Sequence, residues 1–204
     1  MKVVLASGNS GKLKELVALL EPLGIELVSQ RELGIADADE TASTFVENAL
    51  IKARHAAVVS GLPALADDSG LVVHALDGAP GVWSARYAGE PSDDSANNRK
   101  LIAALAGRAD RRAYYYCALV FVRHRADPAP LIACAEWHGV IVDVAVGGGG
   151  FGYDPHFFVT AFGKTAAELP ADLKNRISHR GRAVAAMLDS IRRALDELRD
   201  GPRR

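Results

Sequence analysis

Lys2–Ala6 is a short β-branched run that ends in the polar, glycine-containing stretch Ser7-Gly8-Asn9-Ser10-Gly11. Apolar residues then recur at helical spacing at Leu13, Leu16, Val17, Leu19 and Leu20, until Pro22 and Gly24 stop the pattern. Ile25–Ser29 reads as a second strand, and this strand–loop–helix–strand opening predicts an α/β fold. Residues 30–43 are polar and acidic and read as a loop. Thr44-Phe45-Val46-Glu47 is a capping-box pattern that starts a helix carrying Phe45, Ala49, Ala53 and Ala56 and ending near 61–63. Ala64–Ala66 and Leu71–Ala75 read as two short strand-like pieces, and Gly78–Gly81 as a turn. Ser92 is placed to cap a helix through about Ala106. Ala113–Arg125 and Leu131–Ala145 are the longest strand candidates and predict a long antiparallel hairpin across Ala126–Ala129. After a run of four glycines at 147–150, a final helix is expected over Gly181–Leu198, with a frayed, charged tail at 200–204.

The length of 204 residues suits one domain or two small lobes. No internal repeat or disordered linker divides it, so residues 1–199 read as a single domain. The composition, 49% hydrophobic and 24% charged, is that of a globular chain rather than a disordered one. A formal net charge of −1 provides no basic field for a nucleic-acid polymer, although a local lysine cluster suffices for a small anion. Cys117 and Cys134 form no CxxC pair and sit in apolar runs, as buried small hydrophobes do. The opening MKVVLASGNSGK is too short in apolar residues for a secretory segment, and no stretch approaches the ~20 needed to span a bilayer. A cytoplasmic protein without membrane contact is the expectation.

Asp67 and Asp68 break this ordinary pattern. They lie between apolar pieces in PALADDSGLVV, and adjacent strand residues point to opposite faces, so at least one carboxylate should be poorly solvated. A buried carboxylate must be paired, hydrogen-bonded or on a metal. Hard oxygen ligands suit Mg²⁺, which commonly takes one or two protein carboxylates plus substrate phosphates. The plainer reading is an aspartate held by turn amides before Gly70.

Other stretches carry similar double readings. Ser7–Lys12 can converge backbone amides and a helix N-terminus on an anion, with Lys12 adding charge, or it can be a simple strand-to-helix turn. It is not a Walker A loop, because the glycine spacing differs and Leu13 follows the lysine. Glu40, with Asp37 and Asp39 nearby, ends an acidic loop, and Lys52 follows Glu47 and Asn48 on the second helix; taken singly these read as solvated surface. Gly147–Asp154 interleaves glycines with Phe151 and Tyr153, a density that suits close approach and stacking on a flat ring. Lys174, Arg176, His179 and Arg180 concentrate cations before the last helix, either as a site or as a solvated basic turn. The remaining histidines show no metal-binding spacing.

The motifs SGNSGK, TFVENALIKA, LADDSGLVVHALDGAPGVWSARYAG, GGFGYDPHF and KNRISHRGRA, in that order, resemble the inosine triphosphate pyrophosphatase family, also called the HAM1 family. The likeness runs from Lys2 to about Leu195. It implies a mixed α/β fold with a long central twisted sheet, flanking helices and two lobes around an active-site cleft. It also implies a homodimeric, Mg²⁺-dependent enzyme that cleaves dITP, ITP and XTP to the monophosphate and pyrophosphate. Carried over by position, Ser7, Gly8, Asn9, Ser10, Gly11, Lys12 and Lys52 would hold the triphosphate, and Glu40 and Asp68 the metal. Asp68 would be the proton acceptor, and Ser69 would touch substrate. Phe151, Gly152, Tyr153 and Asp154 would form part of the nucleoside pocket, with Phe151 stacking on the base. Lys174, His179 and Arg180 would approach the base, with Arg180 or His179 donating to the 6-keto group; Arg86 is a weaker candidate for the phosphates. A pyrophosphatase for another modified base and a non-catalytic nucleotide sensor are the alternatives.

Overall fold

The computed structural model describes residues 1–200. Seven strands form one sheet in the order β2-β1-β3-β4-β5-β6-β7: β1 (Lys2–Leu5), β2 (Glu26–Ser29), β3 (Ala64–Val73), β4 (Arg112–Val122), β5 (Leu131–Ile141), β6 (Phe157–Val159) and β7 (Lys164–Thr165). The sheet is mixed, with β1 parallel to both β2 and β3, and β6 antiparallel to both β5 and β7. Val3, Val4 and Leu5 are all buried, as expected for a strand with a parallel neighbour on each side. Five α-helices accompany the sheet: α1 (Ser10–Leu20), α2 (Phe45–Ser60), α3 (Asp94–Ala104), α4 (Ala171–Ile177) and α5 (His179–Asp200).

The chain divides into two compact units. The first comprises Met1–Asp68, Cys117–Ala135 and the chain from Arg180; the second comprises Ser69–Tyr116 and Glu136–His179. Strands β3, β4 and β5 each pass from one unit to the other. Each unit has its own apolar core. In the first, Val3, Leu5, Leu65 and Phe121 pack with Leu16 and Leu20 of α1. Ala183, Val184, Met187, Ile191, Ala194 and Leu195 complete this core from the apolar stripe of α5. In the second, Leu71, Val73, Leu101, Tyr115, Trp137, Tyr153 and Phe157 pack together.

Local signals explain most boundaries. Asn9 caps α1 by accepting the Lys12 amide, and Thr44 caps α2 by accepting the Glu47 amide. Gly61 ends α2 in the left-handed conformation at φ 69°. Several expectations are corrected. The two pieces expected around Asp67-Asp68 are one ten-residue strand, because ion pairs allow both carboxylates to remain inside it. Asp93 caps α3 instead of Ser92, whose hydroxyl donates to Ala85 O at 2.5 Å. The second hairpin strand stops at Ile141, short of Ala145, and the basic stretch before the last helix is itself helix α4. Helix α5 begins at His179 and reaches Asp200; the rest of the tail lies outside the described residues. Strands β6 and β7 were not expected.

Candidate active site

The first unit gathers a carboxylate–cation cluster around the twin aspartates. Because β3 runs straight through them, Asp67 and Asp68 project to opposite sides of the strand. Asp67 is 1% exposed. Its Oδ1 meets Lys12 Nζ at 2.9 Å, and its Oδ2 accepts from Arg180 Nε at 2.9 Å and from Cys117 Sγ at 3.1 Å. Burial alone would raise the Asp67 pKa, but the Arg180 and Lys12 charges outweigh it and hold this carboxyl well below the ordinary range. The same burial, reinforced by Asp67, pushes the Cys117 thiol well up, so Cys117 is an inert thiol donor. Arg180 also pairs with Glu15, which lies on the same face of α1 as Lys12 three residues before it.

Asp68 works differently. Its Oδ1 accepts from Lys52 Nζ at 2.7 Å, and Lys52 Nζ also meets Glu40 Oε1 at 3.2 Å. Its Oδ2 is buried and has no hydrogen-bond partner among the described residues. Burial pushes the Asp68 pKa up, and the Lys52 charge offsets only part of that. The Lys52 ammonium is held above its usual value: burial works against it, but Asp68 and Glu40 prevail. Among the described residues no three His, Cys, Asp or Glu side chains form a metal cage. A divalent cation here would draw on Glu40 and Asp68 and would need further oxygens from its ligand, which suits Mg²⁺ on a phosphate chain. The orphaned Asp68 Oδ2 fits that donor set.

Ser7–Lys12 forms the connection from β1 into α1. Ser7 Oγ accepts the Asn9 amide at 3.3 Å, and Asn9 Oδ1 accepts the Lys12 amide at 3.0 Å. Gly8 is closely confined, since a Cβ there would lie 3.1 Å from both Arg31 Nη2 and Asp37 Oδ1. That contact gives the acidic loop a second role: Asp37 also accepts from Gln30 and braces the turn.

The second unit gathers the other expected residues. Asp154 is 2% exposed; its Oδ2 accepts from Lys174 Nζ at 2.5 Å and from the Phe151 amide at 3.0 Å. Lys174 Nζ stands 5.0 Å from the Phe151 ring centroid, in cation–π range. Gly152 is clasped at both ends by α3: its amide donates to Asp94 Oδ2 at 2.8 Å, and its carbonyl accepts from Asn98 Nδ2 at 2.8 Å. Close approach accounts for Gly147, Gly149 and Gly150, while a Cβ on Gly148 or Gly152 would meet open space. Gly150 has φ 71°, and a Cβ on it would lie 2.0 Å from Asp154 Oδ2. His179 is buried and stacked on Tyr115, with centroids 4.8 Å apart at 11°.

Three of the expected site residues are engaged within the protein. Tyr153 is a core residue, 4% exposed, with its hydroxyl donating to Ser84 O at 2.7 Å, so its ring is not offered for stacking. Arg180, expected beside a base, is 1% exposed and pairs with Asp67 and Glu15 in the first unit. Arg86 lies over Trp83 and pairs with Glu90 at 3.3 Å. Ser69 follows Asp68 along β3 at the start of the second unit's segment. Sequence reasoning missed Glu15, Cys117, Asp94, Asn98 and Tyr115. The three-residue spacing from Lys12 could have pointed to Glu15; the others depend on contacts between segments distant in the chain.

The chain as a whole is similar to known proteins. A protein from Nitrosomonas europaea described as a dITP/XTP pyrophosphatase is 60% identical over 190 residues, covering 93% of this chain and 94% of its own. One from Shigella flexneri with the same description is 54% identical over 193 residues, covering 94% and 98%. Among solved structures, a HAM1 protein from Coxiella burnetii superposes with a TM-score of 0.85 at 48% identity, covering 96% of this chain and 98% of its own. A nucleoside-triphosphatase / dITP/XTP pyrophosphatase from Mycobacterium abscessus superposes at 0.73 with 42% identity, covering 92% and 99%. The Ham1 family model matches residues 3–190, which takes in the β1–α1 turn, the twin aspartates, the glycine loop and the α4–α5 basic stretch together, and the chain therefore belongs to the Ham1 family.

Proposed function

We propose that this chain hydrolyses noncanonical purine nucleoside triphosphates (dITP, ITP and XTP) to the monophosphate and pyrophosphate, with Mg²⁺, and so removes them from the nucleotide pool. The relatives named above, described as dITP/XTP pyrophosphatases, support the substrate class. The observation that carries the chemistry is Asp68, a buried carboxylate with one oxygen on Lys52 and the other unpartnered among the described residues.

The charges of the first unit explain why a cation belongs in this reading. Lys12 is paired with Asp67, Lys52 with Glu40 and Asp68, and Arg180 with Asp67 and Glu15. A triphosphate brought to such a cluster meets cations already engaged by carboxylates. Mg²⁺ held by Glu40 and Asp68 would supply further positive charge and neutralise the phosphate oxygens. The Ser7–Gly11 amides and Lys12 would take the phosphate chain at the N-terminus of α1. Asp68 would accept a proton from the water that attacks the α-phosphorus, with Glu40 taking the larger share of the cation; the new P–O bond forms as the α–β phosphoanhydride breaks and pyrophosphate leaves. Lys52 would stabilise the developing charge. In the second unit, Phe151 would stack on the base, with Lys174 and His179 as its polar contacts. Ser69 would touch substrate, while Gly152, Tyr153 and Asp154 would shape the loop.

Arg180 is reassigned as a holding residue for Asp67 and hence for Lys12. Base preference then rests on Lys174 and His179, both of which can donate to the 6-keto oxygen of hypoxanthine or xanthine. A cytoplasmic homodimer completes the reading, and no described helix is long and apolar enough to cross a membrane.

Turnover of ITP, dITP, XTP, GTP and ATP, with and without Mg²⁺ and with pyrophosphate separated from orthophosphate, tests the proposal. Pyrophosphate from ITP and XTP, with ATP and GTP nearly untouched and no turnover in EDTA, is the expected result. Orthophosphate as the first product would overturn the site of cleavage, and no turnover of any purine would overturn the function.

A further inference from the structure

Tyr115, on β4, touches two of the groups assigned to the base. Its hydroxyl donates to Asp154 Oδ1 at 3.1 Å, and its ring stacks on His179 at 4.8 Å and 11°. The other Asp154 oxygen takes Lys174 Nζ and the Phe151 amide. With both oxygens engaged, the carboxylate cannot rotate without giving up a bond, so the Tyr115 hydroxyl fixes where Lys174 and the Phe151 backbone are held. The Tyr115 ring is held in turn by Phe157, 4.7 Å away at 51°, and by Trp137, 6.2 Å away at 21°. It is 7% exposed, so it acts from inside the second unit's core.

We propose that Tyr115 is a positioning residue for base recognition: its hydroxyl works through Asp154 on Lys174, and its ring sets the plane of His179. A phenylalanine would fill the same core space and stack the same way, so a hydroxyl placed against a buried, lysine-bound carboxylate has a use beyond packing. The inference rests on the reading of the second unit's cluster as the base-recognition site, and it needs no contact between Tyr115 and the ligand.

Tyr115→Phe is the test, because it keeps the ring and removes the donor. Steady-state kinetics over the same five triphosphates, with inorganic tripolyphosphate as a competitive inhibitor, separate the possibilities. Loss of a hydrogen bond to a charged group predicts a fall of about 10-fold in kcat/KM for the preferred triphosphate, mostly in KM. Discrimination against the other bases should contract, while the tripolyphosphate Ki stays within about twofold, since the phosphate side is not touched. Lys174→Met should be non-additive with Tyr115→Phe, the double variant being no worse than Lys174→Met alone. An unchanged base preference in Tyr115→Phe, or additive effects, would overturn the proposal. If the wild type prefers an unexpected base, the function proposed above falls, yet the change in that preference still decides the role of Tyr115. A wild type with no base preference overturns both.

Discussion

Arg180 Nε donates to Asp67 Oδ2 at 2.9 Å across 113 positions of sequence, with both side chains essentially out of water. The bond joins the start of α5 to the middle of β3, and through Asp67 it reaches Lys12 at the start of α1. A buried pair of this kind is costly to break from one side, because the surviving charge is left without a partner.

Asp67→Ala should therefore cost about 3–5 kcal/mol of folding stability, with Lys12 and the Arg180 Nε both losing this carboxylate. Urea denaturation of wild type and variant measures this directly. A loss under about 1 kcal/mol would mean that Arg180 is satisfied without Asp67, and the hub assignment would fail.

Asp68→Asn keeps the shape of the side chain and removes its charge. Turnover of ITP should fall by at least about 100-fold, the scale for losing a positioned proton acceptor. Pyrophosphate release at saturating substrate is the readout. Near-normal turnover would remove Asp68 from the reaction.

At Gly150 the added Cβ of an alanine would collide with Asp154 Oδ2, and the backbone there sits at φ 71°. Gly150→Ala should lose about 1–3 kcal/mol of stability through overpacking and strain. It should also raise KM for the preferred triphosphate, because Asp154 can no longer hold Lys174 and the Phe151 amide together. Unchanged KM with lowered stability would separate the loop from recognition.

The turn between β4 and β5 offers a pH test remote from both clusters in sequence. Asp127, 2% exposed, accepts the Arg123 and Ala129 amides, each at 2.9 Å, and pairs with the Arg123 guanidinium at 3.0 Å. Burial would raise its pKa, but these bonds prevail and lower it. A carboxylate depressed in the folded state adds stability above its unfolded pKa of about 3.9, and that stability is lost as pH falls through the lower folded value. Asp127→Asn should thus cost about 1–2 kcal/mol at pH 7. The gap from wild type should shrink as pH drops below about 4, with catalysis unaffected. A gap that widens in acid would reverse the sign of the argument.

The elements with local causes were readable along the chain. The Thr44 cap, the β1–α1 turn and the apolar stripe of α5 arise from neighbours within a few residues, where spacing and side-chain chemistry act directly. Family membership was readable for a related reason: five ordered motifs each preserve a local stretch. The continuity of β3 was not, because Asp67 and Asp68 look like breakers until Lys12, Arg180 and Lys52 arrive from other segments to pair with them. The same holds for β6 and β7, which are three and two residues long and exist through pairing more than through pattern. Ser92 was the expected cap, but its hydroxyl is taken by the nearby Ala85 carbonyl and Asp93 caps the helix instead. Residue identity and spacing thus dictated which chemistry the chain carries: two carboxylates in a strand, lysines near them, aromatics among glycines. Which oxygen faces which cation, why Arg180 belongs with Asp67, and what Tyr115 touches depended on folding, because ion pairs and stacked rings form through space between segments far apart in the chain.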